Sequence, residues 1–470
     1  MSPFKARALA YGLAVILASS VGYDLWRMPI QVSDSLAEIL DAQQSPSIAS
    51  SFRANLVTPG YLRPLRIVQT KALFDLAQGR HYHLAYRGFH VILIVLLFLV
   101  FTRVLRVKSG TDAAAAAFAL PVLMGMHTFV GFVRESFPVN TFLEIAILCL
   151  VALALAQSRG GWWVDAAAAL VFVVSALTLE SGLLVWVVLV AAWLAGLRGV
   201  STRGLAIVSL LLAGYFVFRF AYLPTGMPTL AVRSSGFMFE YLEPDELQRR
   251  FGANPLPFYA YNIAASAAST LFGEPRNGIF TGVAMWLGGD VPPRIYLTVV
   301  STTATTLLIA WAAVARFRRR APAGRYEQLI VVSAAVLAAN AVLSFPYTKD
   351  EIISVAGVFY ALAAFAAARI VLERVQTVRR PVAIGVVSLC LLLLASSWVV
   401  RSAGIHHTLR LQAFRHRNDW TEVALQARRE QQPPDPRARA LVLQLHDRIV
   451  EMNVPNPHLM PEWRIRWFGD

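Results

Sequence analysis

Charge is what this sequence has least of. Only 15% of its 470 residues are Asp, Glu, Lys or Arg, against about 25% in ordinary soluble domains. Hydrophobic residues make up 57% and the mean hydropathy is +0.54, so water is not the main solvent of this chain. There are 2 cysteines, Cys149 and Cys390, and both fall inside apolar runs. That excludes a disulfide framework and makes neither thiol a candidate nucleophile. No Walker loop, glycine-rich dinucleotide fingerprint, HExxH or GxSxG motif occurs, which argues against nucleotide-coupled work, zinc hydrolysis and serine hydrolysis. The apolar runs also lack the strings of charge that ion-coupled pumps carry. Acids are scarcer than bases, 28 against 43, for a net charge of +15.

What is present in quantity is the long apolar run. Runs fall at about 7–25, 88–105, 112–130, 141–157, 163–180, 182–198, 204–222, 295–315, 327–345, 352–372 and 381–400, each near the length that a bilayer-spanning helix requires. The expected fold is all-α: a polytopic membrane protein with about eleven transmembrane helices. Glu180-Ser181-Gly182 leaves room only for a tight turn or a re-entrant tip between the fifth and sixth runs. Arginine and lysine collect in alternate connections: Lys5 and Arg7, Arg103, Arg106 and Lys108, Arg159, Arg198 and Arg203, Arg316 to Arg325, and Arg374 to Arg380. The positive-inside rule places those connections and the N-terminus in the cytoplasm, with the C-terminus outside. Anionic headgroups then account for much of the positive charge, and no nucleic acid is needed.

The expected organisation is a transmembrane module over 1–400 with outer loops at 26–87 and 223–294, followed by an extracytoplasmic helical-hairpin tail over 401–470. In the first loop a helix follows Ser33-Asp34, a plausible cap, with Leu36, Ile39 and Leu40 on one face. A second helix is expected over 63–78, opened by Pro64. In the second loop, 258–272 reads as an amphipathic or half-inserted helix and 276–293 as a glycine-rich re-entrant or interfacial loop. In the tail, Asp419-Trp420-Thr421-Glu422 opens a helix, Pro433 to Pro436 break it, and 437–452 forms another.

The candidate chemistry lies in the first loop and at the loop-side ends of the runs. Asp34, just beyond the first run, is placed either to cap a helix or to take a proton from an acceptor hydroxyl. Asp24 anchors the end of the first run, while Glu38 and Asp41 are expected to face water. Tyr61, Arg63 and Arg66, with Lys71, form a cationic group suited to phosphate or to bulk anionic headgroups. His81, His83 and His90 come at spacings of two and seven, which do not give three ligands at helical or hairpin spacing, and no carboxylate joins them, so no metal is expected. His127, Arg134 and Glu135 form a second polar group. Glu180, Arg219 and Lys349 complete the set, Glu180 reading either as a functional acid or as a turn residue.

In this order the features resemble the GT-C class of integral-membrane glycosyltransferases. The closest branch is the bacterial relatives of the transmembrane O-mannosyltransferases with tetratricopeptide repeats. Ser33-Asp34 stands where that branch has an Asp-Asp pair, Tyr61-Leu62-Arg63-Pro64-Leu65 resembles its Tyr-Arg-Pro-Leu element, and His83 to His90 resembles its return into the second helix. Leu179-Glu180-Ser181-Gly182 resembles its Ser-Lys-Glu-x-Gly element, with Leu in place of Lys. Phe345-Pro346-Tyr347 to Gly357 resembles its late polar segment. The resemblance implies a polyprenyl-phosphate-linked sugar as donor, a glycan, lipid or protein acceptor, and Asp34 as general base. Tyr61, Arg63, Arg66 and Arg219 would hold the donor phosphate, and His83, His90, His127, Arg134, Glu135, Glu180 and Lys349 the substrates, with no cofactor. Two other readings stay open: a non-catalytic protein that binds lipid-linked glycan, and a transporter or flippase.

Overall fold

The computed structural model describes residues 1–28, 35–57, 62–77, 82–134, 139–223, 234–236, 239–242, 244–252, 254, 256–273, 279–289, 291–318, 324–378, 381–429 and 440. The helices, in order, begin with α1 (Pro3–Arg27), α2 (Ser35–Gln44), α3 (Ile48–Val57), α4 (Pro64–Ala77), α5 (Tyr82–Leu105) and α6 (Gly110–Gly125). Next come α7 (Val130–Arg134), α8 (Thr141–Ala156), α9 (Trp162–Thr178), α10 (Leu184–Leu194), α11 (Thr202–Val217) and α12 (Pro244–Phe251). The last are α13 (Leu256–Phe272), α14 (Ile279–Leu287), α15 (Pro293–Phe317), α16 (Arg325–Leu343), α17 (Ser354–Val378) and α18 (Pro381–Arg429). Among the described residues the fold is helical apart from one short antiparallel pair, β1 (Ser234–Gly236) with β2 (Phe239–Leu242), which the all-α expectation did not include.

Each of the expected apolar runs falls on helix, but the count of about eleven spans is not confirmed. Among the described residues, seven helices are long and apolar enough to cross a membrane, or eight if the bent pair Gly110–Gly125 and His127–Val133 forms one span. The remaining runs give the shorter apolar helices Thr141–Ala156, Trp162–Thr178 and Glu180–Leu194. The chain thus has the build of a multi-pass helical membrane protein.

Small residues set how closely the helices approach, as expected where lipid gives no hydrophobic drive to helix association. Ala6, Ala10, Ala14 and Ala18 make a buried stripe on α1, which continues through Val21, Gly22 and Leu25 and packs against α5. α17 is the central helix: residues 354–368 are buried without interruption, between α6 and α16. The bend of 64° after α6 occurs at Gly125, where a Cβ would lie 2.6 Å from the Trp398 carbonyl oxygen. Close approach to α18, as well as Pro121 within the helix, therefore shapes this segment.

The two ends of the helix set differ. At the end carrying the N-terminus, Ser109 and Asp112 form a capping box on α6, and Asp112 also accepts from Tyr326 Oη and Arg369 Nε, each at 2.7 Å. Arg325 donates to the carbonyls of Val104 and Arg106 and also to that of Leu105, satisfying the open C-terminal carbonyls of α5. At the opposite end, called here the loop end, lie α2, α3 and α4.

Three expectations from the sequence change at this level. The stretch 276–293 contains a helix, α14, rather than loop alone. α3 was not anticipated. Asp419 does not open a helix, because α18 runs unbroken from Pro381 to Arg429; no proline interrupts it before Pro433. The second tail helix expected over 437–452 lies outside the described residues, apart from Ala440.

Candidate functional site

Three segments distant in sequence bring their side chains together at the loop end. The first is the start of α4. Proline at the first helical position fits the backbone there, and Arg63, immediately before it, donates its backbone N–H to Asn55 Oδ1 of α3 at 3.0 Å. The second is the turn between α9 and α10. Leu179 is extended (φ −157°, ψ 152°) and a 3-10 turn follows over Glu180–Leu183. The chain folds back so closely that a Cβ on Gly182 would lie 2.0 Å from the Ser175 carbonyl oxygen, and Ser175 Oγ donates to the Gly182 carbonyl at 2.9 Å. Only glycine fits that approach. The third is the end of α11, which widens into a π turn over Phe218–Tyr222, a departure often found at functional sites.

These segments meet on one carboxylate. Arg63 donates to Glu180 Oε2 from Nε at 2.9 Å and from Nη2 at 2.6 Å. Arg219 Nη1 lies 3.6 Å from Oε1 of the same carboxylate, an ion pair too long for a hydrogen bond. The Arg219 side chain is only 3% exposed, against 23% for Arg63 and 29% for Glu180. Tyr215, one turn earlier on α11, places its phenol within the field of Arg219 and Glu180.

Next to this triad, Arg66 points into the protein. Its side chain is 5% exposed and pairs with Glu38 of α2, so Arg66 is not the surface cation that the sequence suggested, and Glu38 does not face water. Burial raises the Glu38 carboxyl above its ordinary value, against the opposing pull of Arg66. Glu144, buried in the first turn of α8, lies beside Gln69 and Arg66. Lys71 pairs with Asp75 at 2.7 Å within α4. The expected cationic group exists, but its charges are matched by carboxylates.

A second polar group forms around His127. Its Nε2 lies 2.8 Å from Ser269 Oγ and 3.8 Å from Asp350 Oδ1, and its Nδ1 lies 3.4 Å from Arg401 Nη2. A guanidinium can only donate, so Nδ1 accepts and Nε2 carries the proton, making Ser269 the acceptor. That is the reverse of what an activated serine requires. Arg401 also donates to Thr302 Oγ1 at 2.5 Å. The group therefore ties α13, α15 and α18 to the turn at His127.

The other candidates are dispersed. His90 is fully buried in α5 with its ring centroid 4.3 Å from that of Tyr86, and neither ring nitrogen has a hydrogen-bond partner among the described residues. Lys349 is exposed, its ammonium 4.9 Å from the Tyr347 ring centroid. Asp24 lies 3.5 Å from His406 of α18, consistent with an anchor. Asp34, Tyr61, His81 and Glu135, and the side chains of His83 and Arg134, lie outside the described residues. Among the described residues, no group of three or more His, Cys, Asp or Glu is arranged to hold a metal ion.

Compared with family models, curated proteins and solved structures, the chain matches none. The site therefore stands on its own geometry. Reading the sequence missed Glu144, Tyr215 and Arg401 as members of these groups, set Glu38 facing water, and picked out Asp350 beside Lys349 and Glu351 without relating it to His127. An available signal was the acid within an otherwise apolar run, which applies directly to Glu144. What the triad offers chemically is paired donors and positive charge at the boundary of the helix set, a setting suited to an anion.

Proposed function

We propose that the chain is a glycosyltransferase of the GT-C kind, acting at the loop end on a sugar linked to polyprenyl phosphate. That end would face outward from a bacterial inner membrane, with the N-terminus in the cytoplasm. The observation carrying the proposal is the convergence of Arg63 and Arg219 on Glu180, at the same end as α2, which begins one residue after Asp34.

In the reaction, Asp34 takes the proton of the acceptor hydroxyl as its oxygen attacks the anomeric carbon. The bond from that carbon to the phosphate oxygen breaks and the configuration inverts. Polyprenyl phosphate leaves with the bonding electron pair, and the guanidiniums of Arg63 and Arg219 stabilise its charge. Arg66, engaged with Glu38, holds α2 against α4 instead of contacting phosphate.

The test is release of polyprenyl phosphate from polyprenyl-phosphate mannose, and from the glucose analogue, by the purified full chain with a membrane extract as acceptor. Asp34→Asn is expected to lower the rate by at least about a hundredfold while leaving the thermal unfolding midpoint unchanged. Equal rates in the variant and the wild type would remove Asp34 from the mechanism. Tight lipid binding by a wild type that turns over neither donor would favour a non-catalytic binding protein.

A further inference from the structure

We infer that Glu180 is a built-in stand-in for the phosphate: it occupies the anion site of Arg63 and Arg219 while that site is empty, and a phosphate group displaces it. The choice of a polyprenyl phosphate as the natural displacer rests on the function proposed above; the exchange itself rests on geometry.

The acid is the most accessible of the three groups, and the two cations sit deeper. Arg63 is held through its backbone by Asn55 and by the start of α4. Arg219 is buried at the end of α11. Glu180 is the most exposed of the three and lies at the first position of a short 3-10 turn, where rotation about its side-chain bonds carries the carboxylate toward solvent.

The fit of carboxylate to site is also incomplete. Both Arg63 donors share one oxygen, and Arg219 stays 3.6 Å from the other. A phosphate brings more oxygens and up to twice the charge, so it can give each guanidinium its own acceptors. The acid has a clear purpose when no ligand is present, because it sets a negative charge beside the buried Arg219, and taking a counter-charge away from a buried cation is costly. Its presence must then weaken phosphate binding, since affinity is reduced by the fraction of molecules in which the site is open.

The test uses the full chain in nanodiscs of phosphatidylcholine, titrated with farnesyl phosphate, inorganic phosphate and farnesol. Glu180→Gln, which keeps the shape and removes the charge, is expected to bind farnesyl phosphate about tenfold tighter than wild type. Glu180→Asp should move the same way by less. Arg63→Gln and Arg219→Gln should bind about tenfold more weakly or worse, with Arg63→Lys and Arg219→Lys used if the Gln variants are not monodisperse. Farnesol should not bind at this site.

If inorganic phosphate binds as tightly as farnesyl phosphate with the same ranking of variants, the exchange stands and the polyprenyl reading falls. Affinity in Glu180→Gln equal to or below that of wild type for both phosphates overturns the exchange, whatever Asp34→Asn does to transfer. Wild-type affinity in all the arginine variants overturns the site itself.

Discussion

The two ends of the helix set use arginine in different ways. At the N-terminal end, guanidiniums bond to backbone carbonyls, as Arg325 does at the end of α5 and Arg7 does at Val107, or close on Asp112, whose other acceptors are also filled. Those contacts are made to the protein's own backbone or to a buried acid. At the loop end, Arg63 and Arg219 share one part-exposed carboxylate across segments far apart in sequence. Arginine bonded to backbone holds an architecture together, whereas arginine bonded to a movable acid leaves a site able to exchange its anion.

The largest effect that would sharpen this contrast is expected at Asp112. Asp112→Ala leaves Arg369 without its buried partner and removes the α6 cap, which should cost about 3 kcal/mol or more. Thermal unfolding in detergent would record the loss, and phosphate affinity should remain that of wild type. A change in affinity would break the separation between the ends.

Gly182→Ala comes next. Its Cβ would meet the Ser175 carbonyl oxygen and carbon at 2.0 and 2.3 Å, so the turn must shift, at a cost of about 1–3 kcal/mol. The displacement loosens Glu180 from Arg63, and phosphate should bind more tightly than in wild type, though by less than in Glu180→Gln. Unfolding and binding measured on the same preparation check both parts.

The smallest effect concerns pH. Burial raises the Glu38 carboxyl, so the folded protein holds that proton more tightly than the unfolded chain does. The stability from this group is complete below the ordinary carboxylate range and is lost as pH rises through the raised value. Glu38→Gln should flatten that dependence, as read from unfolding midpoints across the acid range. An unchanged slope would show that Arg66 offsets the burial of Glu38.

The helices were legible in the sequence because apolar run length is a local property. Each expected run fell on helix, and Pro64 marked the start of α4 as expected. The span count was less legible, since the runs at 141–157, 163–180 and 182–198 give helices α8, α9 and α10 of 16, 17 and 11 residues, short of the roughly 20 that a span requires. The site was legible only as an inventory. Arg63, Glu180 and Arg219 could each be picked out, but nothing in local periodicity relates position 63 to position 180 or 219. Glu38 was read as facing water because its helix was considered alone; Arg66 arrives from α4, which the pattern of α2 does not encode. Asp34, on which the catalytic reading depends, lies outside the described residues.

α18 has a mechanical consequence. Its 49 residues extend about 74 Å at 1.5 Å per residue, more than twice the roughly 30 Å of a bilayer's hydrocarbon layer. Trp398, whose backbone presses on the bend after α6, and Arg401, which reaches His127, both lie along this one rod. A displacement of α18 around Trp398 and Arg401 therefore reaches the bend after α6 and the turn at His127 together.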